Sequence, residues 1–184
     1  HALLALASMH VGVPYSPISP AYSLISTDHA KLRYILELLQ PGLVFAANGE
    51  RYADAVAAAL PRDCEWVVTE AAPRTRDATL FADLLGQPAT LAVDDAYAAV
   101  NPDTVAKILF TSGSTGQPKG VINTQRMLYS NQEMLAATLP CLREVPPVLV
   151  DWLPWNHTFG ANHNFGLVLY NGGTLHIDDG RPLP

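Results

Sequence analysis

The stretch TSGSTGQPKG, Thr111 to Gly120, gathers four hydroxyl side chains, three glycines, one proline and one lysine. Glycines 113, 116 and 120 let the backbone turn sharply and approach a ligand closely, so that successive N–H groups can form a nest for an anion. Thr111, Ser112, Ser114 and Thr115 add neutral donors, and Lys119 adds a mobile positive charge. Together they match the oxygens of a polyphosphate. A solvated glycine-serine turn would be equally polar, but it does not require a lysine after proline between two glycines. The pattern GxxxxGK[ST] does not apply either, because Pro118 precedes Lys119 and Gly120 follows it.

Ordered elements bracket this loop. VAKILFT reads as a strand running straight into it, and GVIN as a second extended piece leaving it. Asn123 or Thr124 is then placed to cap the helix QRMLYSNQEMLAATLP. Upstream, TDHAKLRYILELLQPG carries Leu32, Ile35, Leu36 and Leu39 at helical spacing, with Thr27 or Asp28 as N-cap and Pro41-Gly42 as stop. GLVFAAN, YADAVAAALP and EWVVT follow as strand, helix and strand. Between Glu70 and Pro102 the pattern weakens, which predicts an irregular surface connection with one short helix around Leu80 to Leu85. Downstream, PPVLVDWLP reads as a strand, TFGANHNFGLVLYNGG as a helix ended by glycines, and GTLHIDDG as a strand closing in a turn. Strand and helix alternate, so the expected fold class is α/β with a mostly parallel sheet and flanking helices. In such sheets ligands sit at the carboxyl ends of strands, where the loop emerges.

Composition narrows the function classes. The 184 residues are 49% hydrophobic and 15% charged with a net charge of −6, which describes a globular, mildly acidic chain with no basic patch for nucleic acid. Two cysteines, Cys64 and Cys141, stand far apart, without a CxxC pair or a Cys/His cluster, and fit a reducing, cytoplasmic setting. The apolar opening HALLALASMHVGVPYSPISP lacks a cationic leader and is too short for a bilayer span, so a buried helix is expected and no membrane span. Both ends look cut, His1 in place of Met and DGRPLP at the close, and the expectation is a fragment.

ILFTSGSTGQPKGV resembles the phosphate-binding signature of the adenylate-forming (AMP-binding) enzymes, a superfamily of acyl- and aryl-CoA synthetases, luciferases and peptide-synthetase adenylation domains. Eight positions, Ser112 to Gly116 and Pro118 to Gly120, match a fixed pattern. LPWNHTFG, Leu153 to Gly160, resembles the downstream motif in which a histidine two residues before an aromatic-glycine pair borders the acyl pocket. GVPYSPISPAYSL is similar to an early segment in which a glycine-containing turn leads to a proline-rich strand. Residues 151 to 180 most resemble the feruloyl-CoA synthases, which activate hydroxycinnamates with ATP and coenzyme A.

This resemblance implies that residues 1–184 are a partial N-terminal AMP-binding domain, truncated at both ends, of an acid–thiol ligase. Its substrates would be a small carboxylic acid such as ferulate, ATP and coenzyme A. Thr111, Ser112, Gly113, Ser114, Thr115 and Gly116 would wrap the nucleotide's β- and γ-phosphates. Lys119 would offset charge building on pyrophosphate, with magnesium carrying the rest. His157 would line the carboxylate pocket and orient the acid, with Phe159 and Gly160 beside it. A buried core histidine is the alternative for His157, and core packing the alternative for Trp152, Trp155 and Phe165. His163 falls on a different helix face from His157, so the two make no metal pair. Asp151 reads as structural, and Asp178 and Asp179 as turn residues. The family's Tyr-Gly-x-Thr-Glu segment, ribose-binding aspartate, hinge and C-terminal lysine have no counterpart here, so no complete activity is expected of these residues alone. Two alternatives stay open: another acyl- or aryl-CoA synthetase, and a non-catalytic scaffold domain that has kept the fold.

Overall fold

A computed structural model describes residues 1–74, 76–111 and 116–180. Helix α1 (Ala2–His10) opens the chain, but only Ala5 on it is fully buried and Leu3 is exposed. The expected buried helix is thus a surface helix docked by one small residue, because its leucines are spread round the helix instead of along one stripe.

The following segment does what its prolines favour and stays extended. Tyr15 bridges Lys107 in parallel: its N–H donates to the Ala106 carbonyl at 3.3 Å, and its carbonyl accepts from the Ile108 N–H at 2.9 Å. The Ser16 hydroxyl donates to the Ile108 carbonyl at 2.7 Å. A short α2 (Ala21–Leu24) follows, then α3 (Ala30–Leu39), which buries Leu32, Ile35 and Leu36 as their spacing demands. Asp28 Oδ1 accepts from the Ala30 N–H at 3.1 Å, so the expected acidic residue serves the helix start, although His29 occupies the cap position itself. Gln40, in the left-handed region at φ 45°, ends the helix immediately before Pro41.

Strand β1 (Leu43–Asn48), helix α4 (Gly49–Ala59) and strand β2 (Glu65–Glu70) form the expected strand–helix–strand unit, with β1 and β2 parallel. Asn48 caps α4 by accepting from the Arg51 N–H at 2.9 Å. Leu32, Leu36, Val56, Trp66 and Val68 pack into one apolar core between these elements. The stretch after Glu70 holds more structure than expected. Strand β3 (Thr79–Leu80) adds in parallel to β2, α5 (Phe81–Leu85) matches the predicted short helix, and α6 (Leu91–Ala99) is a second one. No residue of α6 is fully buried, so it leaves no apolar stripe in the sequence, and the His10 ring stacks on its Tyr97 at 4.4 Å.

Strands β4 (Val105–Thr111) and β5 (Lys119–Thr124) form an antiparallel hairpin. Thr124 caps α7 (Gln125–Thr138), its hydroxyl accepting from the Met127 N–H at 3.3 Å. Strand β6 (Val148–Asp151) pairs in parallel with β7 (Thr174–Ile177). Between them lie a π-helix (Phe159–Asn164) and α8 (Phe165–Tyr170), where a single regular helix is expected from sequence. The crossover pairs are parallel and the hairpin is not, giving an α/β fold with a predominantly parallel arrangement. Among the described residues, no helix is long and apolar enough to cross a membrane, and both cysteines are free thiols.

Candidate active site

The β4–β5 hairpin fixes both feet of the candidate phosphate loop. Thr111 and Lys119 are register partners, and the Thr111 hydroxyl donates to the Lys119 carbonyl at 3.5 Å. Thr111 and Lys119 are therefore the last pair of an ordered ladder. Ser112, Gly113, Ser114 and Thr115 lie outside the described residues. Gly116 has φ +82°, a left-handed conformation that disfavours any side chain. Pro118 is fully buried and seats the returning strand, whereas Lys119 beside it is exposed.

The second motif is shaped by the end of β6. Asp151, buried, accepts through Oδ1 from the Leu153 N–H at 3.1 Å and from Asn164 Nδ2 at 2.9 Å. This turns the chain after the strand and ties it to the far end of the π-helix, so Asp151 is structural, as expected. The His157 N–H donates to the Pro154 carbonyl at 3.2 Å, and the His157 carbonyl accepts from the Ala161 N–H at 2.9 Å. A Cβ on Gly160 would stand 2.8 Å from the Pro154 carbonyl oxygen and 3.1 Å from that of Leu153. Only glycine lets the π-helix begin that close to the preceding turn. π-Helical turns are uncommon and concentrate at functional sites.

His157, itself exposed, and Asn156 line an open cavity of about 90 Å³ together with the 17–19 segment, Tyr22, Ile35 of α3 and Phe110 of β4. Phe110 directly precedes Thr111. The cavity thus brings the histidine turn and the early proline-rich segment beside the end of the strand that leads into the loop. The volume is below the roughly 300–1,000 Å³ of a typical small-molecule pocket, so the cavity by itself is too small to hold a substrate.

The candidate aromatics separate. Phe159 is 55% exposed and stacks on His163 at 4.6 Å with planes 6° apart. His163 Nδ1 in turn lies 2.8 Å from Asn164 Oδ1. Asp151, Asn164, His163 and Phe159 thus form a chain of contacts that fixes the Phe159 ring. Trp155 instead packs on Phe165, at 4.9 Å, and exposed Trp152 lies beside Gly180. Among the described residues, no group of three His, Cys, Asp or Glu side chains could hold a metal ion.

Residues that motif reasoning overlooks tie these pieces together. Asn162 Nδ2 donates to Asn123 Oδ1 of β5 at 2.8 Å, and Gln132 Nε2 of α7 donates to the Asn162 carbonyl at 2.7 Å. Lys107, 2% exposed in the middle of β4, donates through Nζ to the Ala161 carbonyl at 3.3 Å. Its one signal in the sequence is a charge inside an otherwise apolar strand. A larger cleft of about 650 Å³ lies against α4 and β2 and contains none of the candidate residues. Its Arg76 donates to the carbonyls of Leu60 at 3.0 Å, Pro61 at 2.6 Å and Cys64 at 2.7 Å, which braces the α4–β2 connection.

The fold is α/β, and comparison with known proteins fixes its family. The model for the AMP-binding enzyme family matches residues 1–184, and the chain belongs to that family. It is 32% identical over 178 residues to the sulfoacetate–CoA ligase of Cupriavidus necator, covering 95% of this chain and 31% of that protein. Among solved structures it is similar to ATP-bound MatB from Rhodopseudomonas palustris, with a TM-score of 0.65 and 25% identity over 96% of this chain and 32% of that one. A malonyl-CoA ligase ternary product complex with methylmalonyl-CoA and AMP gives the same TM-score and identity, over 95% of this chain and 32% of that one. The chain spans about a third of the length of these relatives.

Proposed function

We propose that these residues are the phosphate-binding and acid-orienting part of an ATP-dependent carboxylate–CoA ligase. A free carboxylate resists attack by a thiol because its leaving group would be oxide. Attack of the carboxylate on the α-phosphate of ATP, with pyrophosphate leaving, creates a mixed anhydride, and the thiol of coenzyme A then displaces AMP. The first step concentrates negative charge on pyrophosphate, which preorganised donors stabilise.

The residues divide that work. Thr111 and the backbone from Ser112 to Gly116 hold the β- and γ-phosphates, and Lys119, exposed at the foot of the loop, supplies the mobile cation. His157 orients the carboxylate, with Gly160 giving the close turn and Phe159 a flat wall. Magnesium, if bound, would neutralise phosphate charge. The observation that carries the reading is the cavity in which His157 faces Phe110, one residue before the loop. The names of the CoA-ligase relatives support the same reaction class.

For the acid, we favour a hydroxycinnamate such as ferulate. The support is the resemblance of Trp155-Asn156-His157-Thr158-Phe159-Gly160 to feruloyl-CoA synthases and the exposed, braced ring of Phe159. The test is AMP and acyl-CoA formation by the full-length protein with ferulate, other hydroxycinnamates, malonate, sulfoacetate and fatty acids. Preference for a hydroxycinnamate is expected. Preference for an aliphatic acid would keep the reaction class and remove this substrate.

A further inference from the structure

Lys107 is an anomaly in energetic terms. Its side chain is 2% exposed on a strand whose neighbours Ala106 and Leu109 are core residues, and it has no ion pair among the described residues. Its ammonium meets the Ala161 carbonyl at 3.3 Å and lies 5.6 Å from the centre of the Tyr15 ring. Taking a cation out of water without a carboxylate partner costs stability that a leucine or methionine here would not. Burial accordingly pushes its pKa down to about 8.

That cost falls at the joint between the two halves of the site. Lys107 stands four positions before Thr111 on β4, so its Cα has a fixed relation to the foot of the phosphate loop. Ala161 is the residue whose N–H binds the His157 carbonyl. One residue, gripped at its N–H by His157 and at its carbonyl by Lys107, therefore connects the histidine turn to the loop-bearing strand. The Asn162–Asn123 bond at 2.8 Å adds a second tie, one residue further along and to the partner strand.

We propose that Lys107 is a positioning residue for the acid side of the site, holding the Gly160–Ala161 turn of the π-helix in register with the strand that carries the phosphate loop. The inference rests on the ligase reading for its kinetic consequence but not for its structural one. It sets where His157 and Phe159 stand relative to the phosphates, and hence how the acid is oriented for in-line attack.

Lys107→Met keeps an unbranched apolar stem of similar length and removes the charge and the donor. In the full-length protein this variant is expected to melt at the wild-type temperature or above it. The KM for the acid is expected to rise about tenfold, the worth of one charge-assisted hydrogen bond, with the KM for ATP within about twofold. Amide exchange of a peptide covering residues 157–164 should speed up. Unchanged acid KM with unchanged exchange would overturn the proposal. Equal losses for acid and ATP with a lowered melting temperature would also overturn it, because a merely structural lysine gives that result. If wild-type protein activates no acid while Lys107→Met still loosens 157–164, the ligase reading falls and the anchoring role stands. Should Lys107→Met fail to fold, Asn162→Ala cuts the parallel tie, and it must show the same acid-selective rise in KM or the tethered-turn account is wrong.

Discussion

The β1–β2–β3 region and the β4–β5–π-helix region are built on the same alternation of strand and helix, yet different forces hold them. In the first, Leu32, Leu36, Val56, Trp66 and Val68 exclude water by packing apolar faces. In the second, Lys107, Asn123, Gln132, Asp151 and Asn164 are buried polar residues, bonded across elements that lie far apart in sequence. Unpartnered buried atoms follow the same division: Gln132 Oε1, Asp151 Oδ2 and Asn162 Oδ1 in the second region, against Trp66 Nε1 in the first. Apolar packing is non-directional and tolerates volume-conserving exchange, whereas buried hydrogen bonds are directional and fix one geometry. The second region also buries Ala106, Leu109, Leu167 and Val168, so it adds directional bonds to an apolar core of its own.

The largest effect that could break this contrast belongs to Trp66, which is 2% exposed. Trp66→Ala should destabilise by about 3–5 kcal/mol in denaturant titration, and in the fraction that remains folded the acid KM should not change. A selective loss of acid affinity would merge the two regions into one. Lys119→Ala comes next. Its side chain is exposed and supports no packing, so melting should be unaffected while carboxylate-dependent pyrophosphate exchange falls on the order of 100-fold. Unaltered exchange would remove Lys119 from the mechanism.

A pH dependence of stability is expected to be confined to the second region. The pKa of Lys107 falls from 10.5 to about 8 on folding, so between these values the unfolded chain binds more protons than the folded one. Stability should therefore gain a favourable contribution as pH rises from about 8 towards 10.5, and Lys107→Met should lack it. Tyr15, the titratable group packed against the ammonium, is pushed up to about 12 by burial and stays neutral throughout that window. Identical slopes for wild type and Lys107→Met in pH-dependent unfolding would contradict the buried cation.

Local chemistry made much of the fold legible. The 3.6-residue spacing of Leu32, Ile35 and Leu36, the Pro41-Gly42 stop, the Thr124 cap and the strand–loop–strand around TSGSTGQPKG each act within a few residues, and the structure has them. Helix α6 was hidden because it buries no stripe, and the π-helix because periodicity does not separate an i+5 turn from an i+4 turn. In the site, motif spacing pointed to His157 and Lys119 but not to what holds them. Lys107 looks like an exposed charge until Ala161, 54 positions away, is known to sit above it. Trp155 and Phe159 are near neighbours in sequence, yet one packs on Phe165 and the other on His163, a separation imposed by the turn at Pro154.

In the proposed function, the loop after β4 and the turn at His157 are two sides of one adenylation site. Carboxylate-dependent pyrophosphate exchange by the full-length protein, wild type against His157→Ala, tests it most directly. The predicted result is exchange that depends on the acid in wild type and a raised KM for the acid in His157→Ala, with the KM for ATP little changed. Wild-type exchange with no change in acid KM or turnover in His157→Ala would show that the cavity between Phe110 and His157 has no part in acid binding.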